Sequence, residues 1–148
     1  TGKTWLVREF GKTFLQFHEF NFQKNYELRD IFSPPKDVKK ILELLQVFSG
    51  KKIDLKNDLI FFDEIQDCPE ALNSLKFFAE DFPESFLMAA GSLLGIYLSA
   101  HSFPVGKVEF VDLSPLSFDE FLSAKNKQEL AKVVLNHPLA EVNSFHQA

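Results

Sequence analysis

Residues 59–64 read Leu-Ile-Phe-Phe-Asp-Glu, a continuous apolar run that ends in two acids. Such a run is typical of a strand that is buried on both faces of a parallel sheet. Asp63 and Glu64 would then stand at the carboxyl end of the strand, which is where ligands bind in α/β sheets. The segment therefore predicts an α/β fold and places two candidate site residues at the edge of its sheet.

Helical and extended patterns alternate on both sides of this segment. Apolar residues at helical spacing predict helices over residues 4–10, 25–32, 37–48, 118–122 and 127–135, and another that starts at Pro69. Extended patterns predict strands over residues 14–22, 59–62, 86–90 and 108–113, of which 86–90 is expected to be buried. Strands that alternate with helices are characteristic of a parallel sheet between helical layers. We therefore predict a three-layer α/β sandwich.

The tripeptide Gly2-Lys3-Thr4 matches the second half of the phosphate-binding loop sequence G-x-x-x-x-G-K-[ST]. Backbone N–H groups at the start of a helix would point at the β-phosphate of a nucleotide. Lys3 would bridge the β- and γ-phosphate oxygens, and the hydroxyl of Thr4 would bind Mg²⁺. Taken alone, the tripeptide is better explained by a solvated turn.

The acidic end of residues 59–64 supplies the second half of a nucleotide site, in the form called Walker B. Asp63 would bind Mg²⁺ or a water of its shell, and Glu64 would orient and activate the attacking water. A strand that simply ends in solvated acids explains this motif equally well when it is taken alone. The two motifs in this order, with a strand between them, predict a P-loop site for ATP and Mg²⁺.

Two polar residues are secondary candidates. Ser92 follows the predicted strand 86–90, where its hydroxyl could contact the γ-phosphate or the attacking water as a catalytic group. A turn of small residues is the alternative for Ser92. Gln66 could position the same water, or it could be an ordinary polar residue at the start of a helix.

Composition limits the classes of protein. The net charge of -5 speaks against a broad basic face for nucleic acid, although a local DNA contact stays open. Cys68 is the only cysteine, so an internal disulfide and a Cys-based zinc site are excluded, and a cytoplasmic setting is expected.

No apolar run reaches the roughly 18 residues of a membrane span, and no signal peptide is recognisable. The 148 residues fit one domain, predicted over 1–148.

Five stretches in order resemble a known family: residues 2–10, 59–66, 90–95, 102–109 and 115–122. The chain resembles predicted bacterial and archaeal ATPases of the AAA+ superfamily, in which an AAA domain precedes a C-terminal domain of unknown function. The resemblance implies ATP binding by Gly2, Lys3 and Thr4, Mg²⁺ coordination by Asp63 and a catalytic role for Glu64. It also implies that the chain is truncated at both ends and lacks the strand before the P-loop. Many members carry Arg where this chain has Lys107.

Three other functions remain compatible with these residues. The first is an ATP-dependent switch with negligible turnover that recruits a protein or DNA partner. The second is a phosphotransferase, and the third is an interaction domain whose nucleotide site has decayed. A protein partner or a homo-oligomer is possible for this chain. The adjacent acids Asp63 and Glu64 favour a water-activating ATPase over a phosphotransferase. Intact Lys3 and Thr4 argue against a decayed site.

Overall fold

The computed structural model of the chain describes residues 2–35, 37–92 and 108–126. The chain divides into two compact units, Thr1–Asp112 and Leu113–Ala148. In the first unit the helices are α1 (Lys3–Gly11), α2 (Leu28–Phe32), α3 (Val38–Ser49) and α4 (Pro69–Asp81), with a 3₁₀ turn at Ile65–Asp67. Its strands are β1 (Phe17–Asn21), β2 (Leu59–Asp63) and β3 (Phe86–Ala90). In the second unit α5 (Phe118–Ala124) begins with a capping box formed by Ser117 and Glu120.

The three described strands form a parallel sheet in the order β1-β2-β3. The register pairs Asn21 with Asp63 and Asp63 with Ala90, so all three strands end at the same edge. This arrangement confirms the predicted parallel α/β architecture. It also brings the residues at the three strand ends side by side.

Helices cover both faces of this sheet, as the three-layer prediction required. On one face Val7 of α1 packs against Leu59, Phe61 and Ala90. On the other face the main core joins residues of β1 and β2 to residues of α2, α3 and α4; its largest side chains include Phe20, Phe22, Phe32, Ile60, Phe62 and Phe78. The strand residues alternate between the two faces because successive side chains of a strand point in opposite directions.

Local sequence signals explain where the helices begin and end. The carboxylate of Asp37 accepts a hydrogen bond from the backbone N–H of Lys39 at 2.8 Å, which caps the start of α3. Gly50 ends the same helix with φ 65°, a left-handed conformation that glycine adopts without a steric penalty. Pro69 stands in the first turn of α4, where its missing N–H costs no helical hydrogen bond.

Two expectations about strands are wrong. β3 is not buried on both faces, since Phe86 and Met88 are 47% and 37% exposed. Among the described strands β3 pairs only with β2. On the face of the sheet that α1 covers, the buried contacts of α1 lie mainly on the middle strand, β2. Residues 108–113 form no strand, although their side chains alternate in polarity. Val108 packs partly against the main core, but Glu109 and the four residues after it are exposed, so most of these side chains cover no core.

The predicted helix over residues 127–135 lies outside the described residues, as does Lys107. Within the part of the chain that the structure describes, no helix is both long enough and apolar enough to cross a membrane.

Candidate functional site

The start of α1 presents the features of an anion site. Gly2 precedes the helix with φ 83°, and its carbonyl accepts the first helical hydrogen bond, from the N–H of Leu6, at 2.9 Å. Among the described residues no side chain caps this end of the helix, and the first N–H groups of a helix have no partner within it. Lys3, the first residue of α1, is half-buried and forms no ion pair with any of the described residues. A positive side chain and free N–H groups therefore stand together.

Thr4 and Asp63 meet at this end of α1, although 59 residues separate them in the sequence. The Thr4 hydroxyl donates to the Asp63 carboxylate, with Oγ1 lying 3.1 Å from Oδ1 and 3.3 Å from Oδ2. This contact joins the two sequence motifs into one site. It forms because α1 packs on β2, whose last residue is Asp63.

Asn21 is a site residue that the sequence analysis missed. It ends β1 directly beside Asp63, and its Nδ2 donates to Asp63 Oδ2 at 2.8 Å. Its Oδ1 accepts hydrogen bonds from the backbone N–H groups of Gln23 and Lys24, at 3.1 and 2.8 Å. The signal available in the sequence was a polar residue at the end of an aromatic strand. Without the strand order, nothing linked that residue to Asp63.

The Asp63 carboxylate is only 4% exposed, so its charge needs partners within the protein. Thr4 and Asn21 supply hydrogen bonds, and Arg8 lies close enough to interact with the charge. The guanidinium of Arg8 donates two hydrogen bonds to the carboxylate of Glu19, at 2.7 and 2.6 Å. The hydrogen bond and charge of Glu19, with a smaller contribution from Asp63, raise the pKa of Arg8. Asp63 is therefore a buried anion without an ion pair of its own among the described residues.

Glu64 leaves β2 in a left-handed conformation, with φ 53° and ψ 44°. Non-glycine residues seldom adopt a positive φ, and such residues are found preferentially at functional sites. Its carboxylate Oε2 accepts a hydrogen bond from Gln66 Nε2 at 2.7 Å. The buried Oε1 of Gln66 has no hydrogen-bond partner among the described residues. Glu64 and Gln66 thus supply one carboxylate and one amide oxygen in the turn that follows β2.

Ser92 lies two residues beyond Ala90, the β3 residue that pairs with Asp63. It is exposed and stands at the same edge of the sheet as the other candidates. None of the hydrogen bonds between described residues joins Ser92 to Asp63 or Glu64. The structure therefore brings Thr4 and Asn21 into direct contact with Asp63 and places Ser92 just after the end of the next strand.

The side chains at this edge fit a magnesium ion. Mg²⁺ prefers oxygen ligands, and proteins often hold it with one or two carboxylates together with the phosphates of a substrate. The Thr4 hydroxyl and the Asp63 carboxylate are two such oxygen ligands, already in contact. No cluster of three His, Cys, Asp or Glu residues that could hold a metal occurs in the described ranges. An ion at this edge would need further ligands from water or from a bound substrate.

Other buried ionisable groups belong to the core. The Sγ of Cys68 is part of the main core, and burial raises the pKa of its thiol, which disfavours a reactive thiolate. His18 and Asp58 form a buried pair, with Nε2 and Oδ2 3.1 Å apart. His18 is three residues before Asn21 on β1, so this pair lies away from the carboxyl edge.

One comparison with known proteins gave a match. A family model described as an AAA domain matches residues 1–122, which include every candidate site residue. No curated protein and no solved structure matched the chain.

Proposed function

This chain belongs to the AAA domain family, a family of nucleotide-binding domains of the ATPase type, and we propose that it binds Mg-ATP and hydrolyses it. The observation that carries the proposal is the contact between Thr4 and Asp63, at 3.1 Å. The phosphate loop and the acidic strand end have to meet in such a site. Residues 1–148 would form one ATPase domain, in a cytoplasmic setting.

In the proposed complex the phosphates bind at the start of α1. The free N–H groups after Gly2 would receive phosphate oxygens, and the helix dipole would favour their negative charge. Lys3 would bridge the β- and γ-phosphates, since it has no ion pair among the described residues. Thr4 and Asp63 would hold Mg²⁺, which when bound supplies neutralisation of the charge on the phosphate oxygens.

The proposed chemistry is attack of a water molecule on the γ-phosphorus, in line with the bond to the leaving oxygen. The water oxygen forms a bond to phosphorus, the bond to the oxygen that bridges the β- and γ-phosphates breaks, and the products are ADP and inorganic phosphate. Glu64 would accept a proton of the water, as a general base. Ser92 would contact the γ-phosphate or the same water from the end of β3.

A switch with negligible turnover is the second candidate, and one contact favours it. Glu64 is hydrogen-bonded to Gln66 at 2.7 Å, so the proposed base already has a partner within the protein. If nucleotide binding left that contact intact, ATP would be bound without being consumed. The bound state would then recruit a protein partner, DNA or a second copy of the chain.

Replacing Lys3 with Ala in the full-length protein tests the binding site. The variant should bind ATP about 10- to 100-fold more weakly, because a charge-assisted hydrogen bond contributes about 1.5–3 kcal/mol. Calorimetry with ATP and Mg²⁺ measures the change.

Lys40→Ala is the matched control. It removes an exposed lysine from α3, where Lys40 pairs with Glu43 at 2.9 Å on the opposite side of the sheet. The control should bind ATP as the wild type does. Wild-type affinity in Lys3→Ala would contradict the assignment of the phosphate site.

A further inference from the structure

We propose that Asn21 is a positioning residue that orients the Asp63 carboxylate so that Oδ1 is the oxygen available to Mg²⁺. The inference rests on the proposed function of this site. Asn21 would not touch the nucleotide or the reacting water. It would act only through Asp63, to which its amide is hydrogen-bonded at 2.8 Å.

The hydrogen bonds of Asn21 leave one orientation for its amide. Its oxygen accepts from two backbone N–H groups, those of Gln23 and Lys24, and neither could bond to an NH₂ group. The oxygen must therefore face the turn after β1, and the Nδ2 group must face Asp63. The parallel register fixes the distance between the two residues, because it pairs Asn21 with Asp63.

The two oxygens of Asp63 have different surroundings as a result. Oδ2 accepts from both Asn21 and Thr4, whereas Oδ1 accepts only from Thr4 among the described residues. Thr4 is itself a proposed ligand, so its hydroxyl oxygen would turn to the ion. The hydrogen bond from Asn21 to Oδ2 would fix the orientation of the Asp63 carboxylate. Oδ1 would then be the oxygen that binds the metal. Hydrogen bonds of this kind to a ligating carboxylate typically change metal affinity by about 10- to 100-fold when they are removed.

A purely structural role is the competing explanation, because the Asn21 oxygen also holds the turn at Gln23 and Lys24. The two roles separate in their dependence on the metal. Loss of the turn would weaken nucleotide binding and thermal stability whether or not Mg²⁺ is present. Loss of carboxylate orientation would raise only the Mg²⁺ concentration that binding requires.

The test compares Asn21→Ala with the wild type in the full-length protein, using calorimetric ATP binding over a Mg²⁺ series and in EDTA. The variant should need about 10- to 100-fold more Mg²⁺ for half-maximal binding, with its affinity in EDTA unchanged. Asn57→Ala is the matched control, since it removes an exposed Asn–Asp hydrogen bond of the same 2.8 Å length, to Asp54. The control should leave the Mg²⁺ requirement unchanged.

A second variant, Asn21→Asp, tests the contact without nucleotide. It keeps an acceptor oxygen for the turn but places a second carboxylate against Asp63. Two like charges at this distance repel each other, so the variant should have a lower melting temperature than the wild type.

The outcomes distinguish the inference from the proposed function. If the wild type binds no Mg-ATP, the proposed function is wrong and this inference fails with it. If the wild type binds Mg-ATP and Asn21→Ala has the wild-type Mg²⁺ requirement, the inference alone is wrong. Equal losses of affinity with Mg²⁺ and in EDTA would also overturn it, as would a melting temperature of Asn21→Asp equal to that of the wild type.

Discussion

Replacing Glu64 with Gln is expected to lower kcat for ATP hydrolysis by about 10²-fold or more, the range that a general base contributes. Gln keeps the shape of the side chain but cannot accept the proton of the attacking water. Mg-ATP should still bind, because Lys3, Thr4 and Asp63 are unchanged. Single-turnover hydrolysis measures the chemical step, and calorimetry in the same buffer measures the binding.

Glu43→Gln provides the control for this measurement. Glu43 is an exposed acid on α3 whose partner is Lys40, so its loss should change neither binding nor hydrolysis. An unchanged single-turnover rate in Glu64→Gln would exclude Glu64 as the base. Attention would then move to Gln66, whose Oε1 has no hydrogen-bond partner among the described residues. A wild type that binds Mg-ATP without measurable turnover would instead support the switch.

The helix and strand segments could be predicted wherever a local signal was strong. The apolar run at Leu59–Asp63 became the middle strand of the described sheet, and Gly50 and Pro69 mark helix boundaries for the stereochemical reasons expected. The pairing of Thr4 with Asp63 was also predictable, because each motif has its own chemistry and the fold has to bring the two together. Local sequence carried this information without any knowledge of the strand order.

Properties that depend on neighbouring strands could not be predicted. The role of Asn21 requires β1 to lie beside β2 in a particular register, and periodicity within one strand says nothing about register. The exposure of Phe86 and Met88 depends on what pairs with β3 and on what α1 covers. The alternation in residues 108–113 was mistaken for a strand because the same pattern can occur in an exposed irregular segment.

Phe62→Ala is expected to destabilise the protein by about 3–5 kcal/mol, the usual cost of truncating a buried phenylalanine. Phe62 is 0% exposed, and four rings surround it with centroids 5.6–6.1 Å away, from Phe20, Phe22, Phe32 and Phe78. These rings come from β1, the turn after it, α2 and α4, so the cavity would lie where several elements meet. Rigid rings on all sides cannot collapse easily into that space. Urea unfolding followed by circular dichroism measures the loss.

Phe77→Ala is the matched control, since Phe77 lies on α4 beside Phe78 but is 49% exposed. Its truncation should cost about 1 kcal/mol or less, because it leaves no cavity. The loss of stability in Phe62→Leu should lie between the losses in Phe62→Ala and Phe77→Ala. If Phe62→Ala does not fold, nucleotide binding is measured on Phe62→Leu. Phe62 faces the main core while the next residue, Asp63, faces Thr4, so a loosened Phe62 would disturb the acid through the backbone of β2. Equal losses of stability in Phe62→Ala and Phe77→Ala would show that the ring cluster around Phe62 does not hold β2 in place.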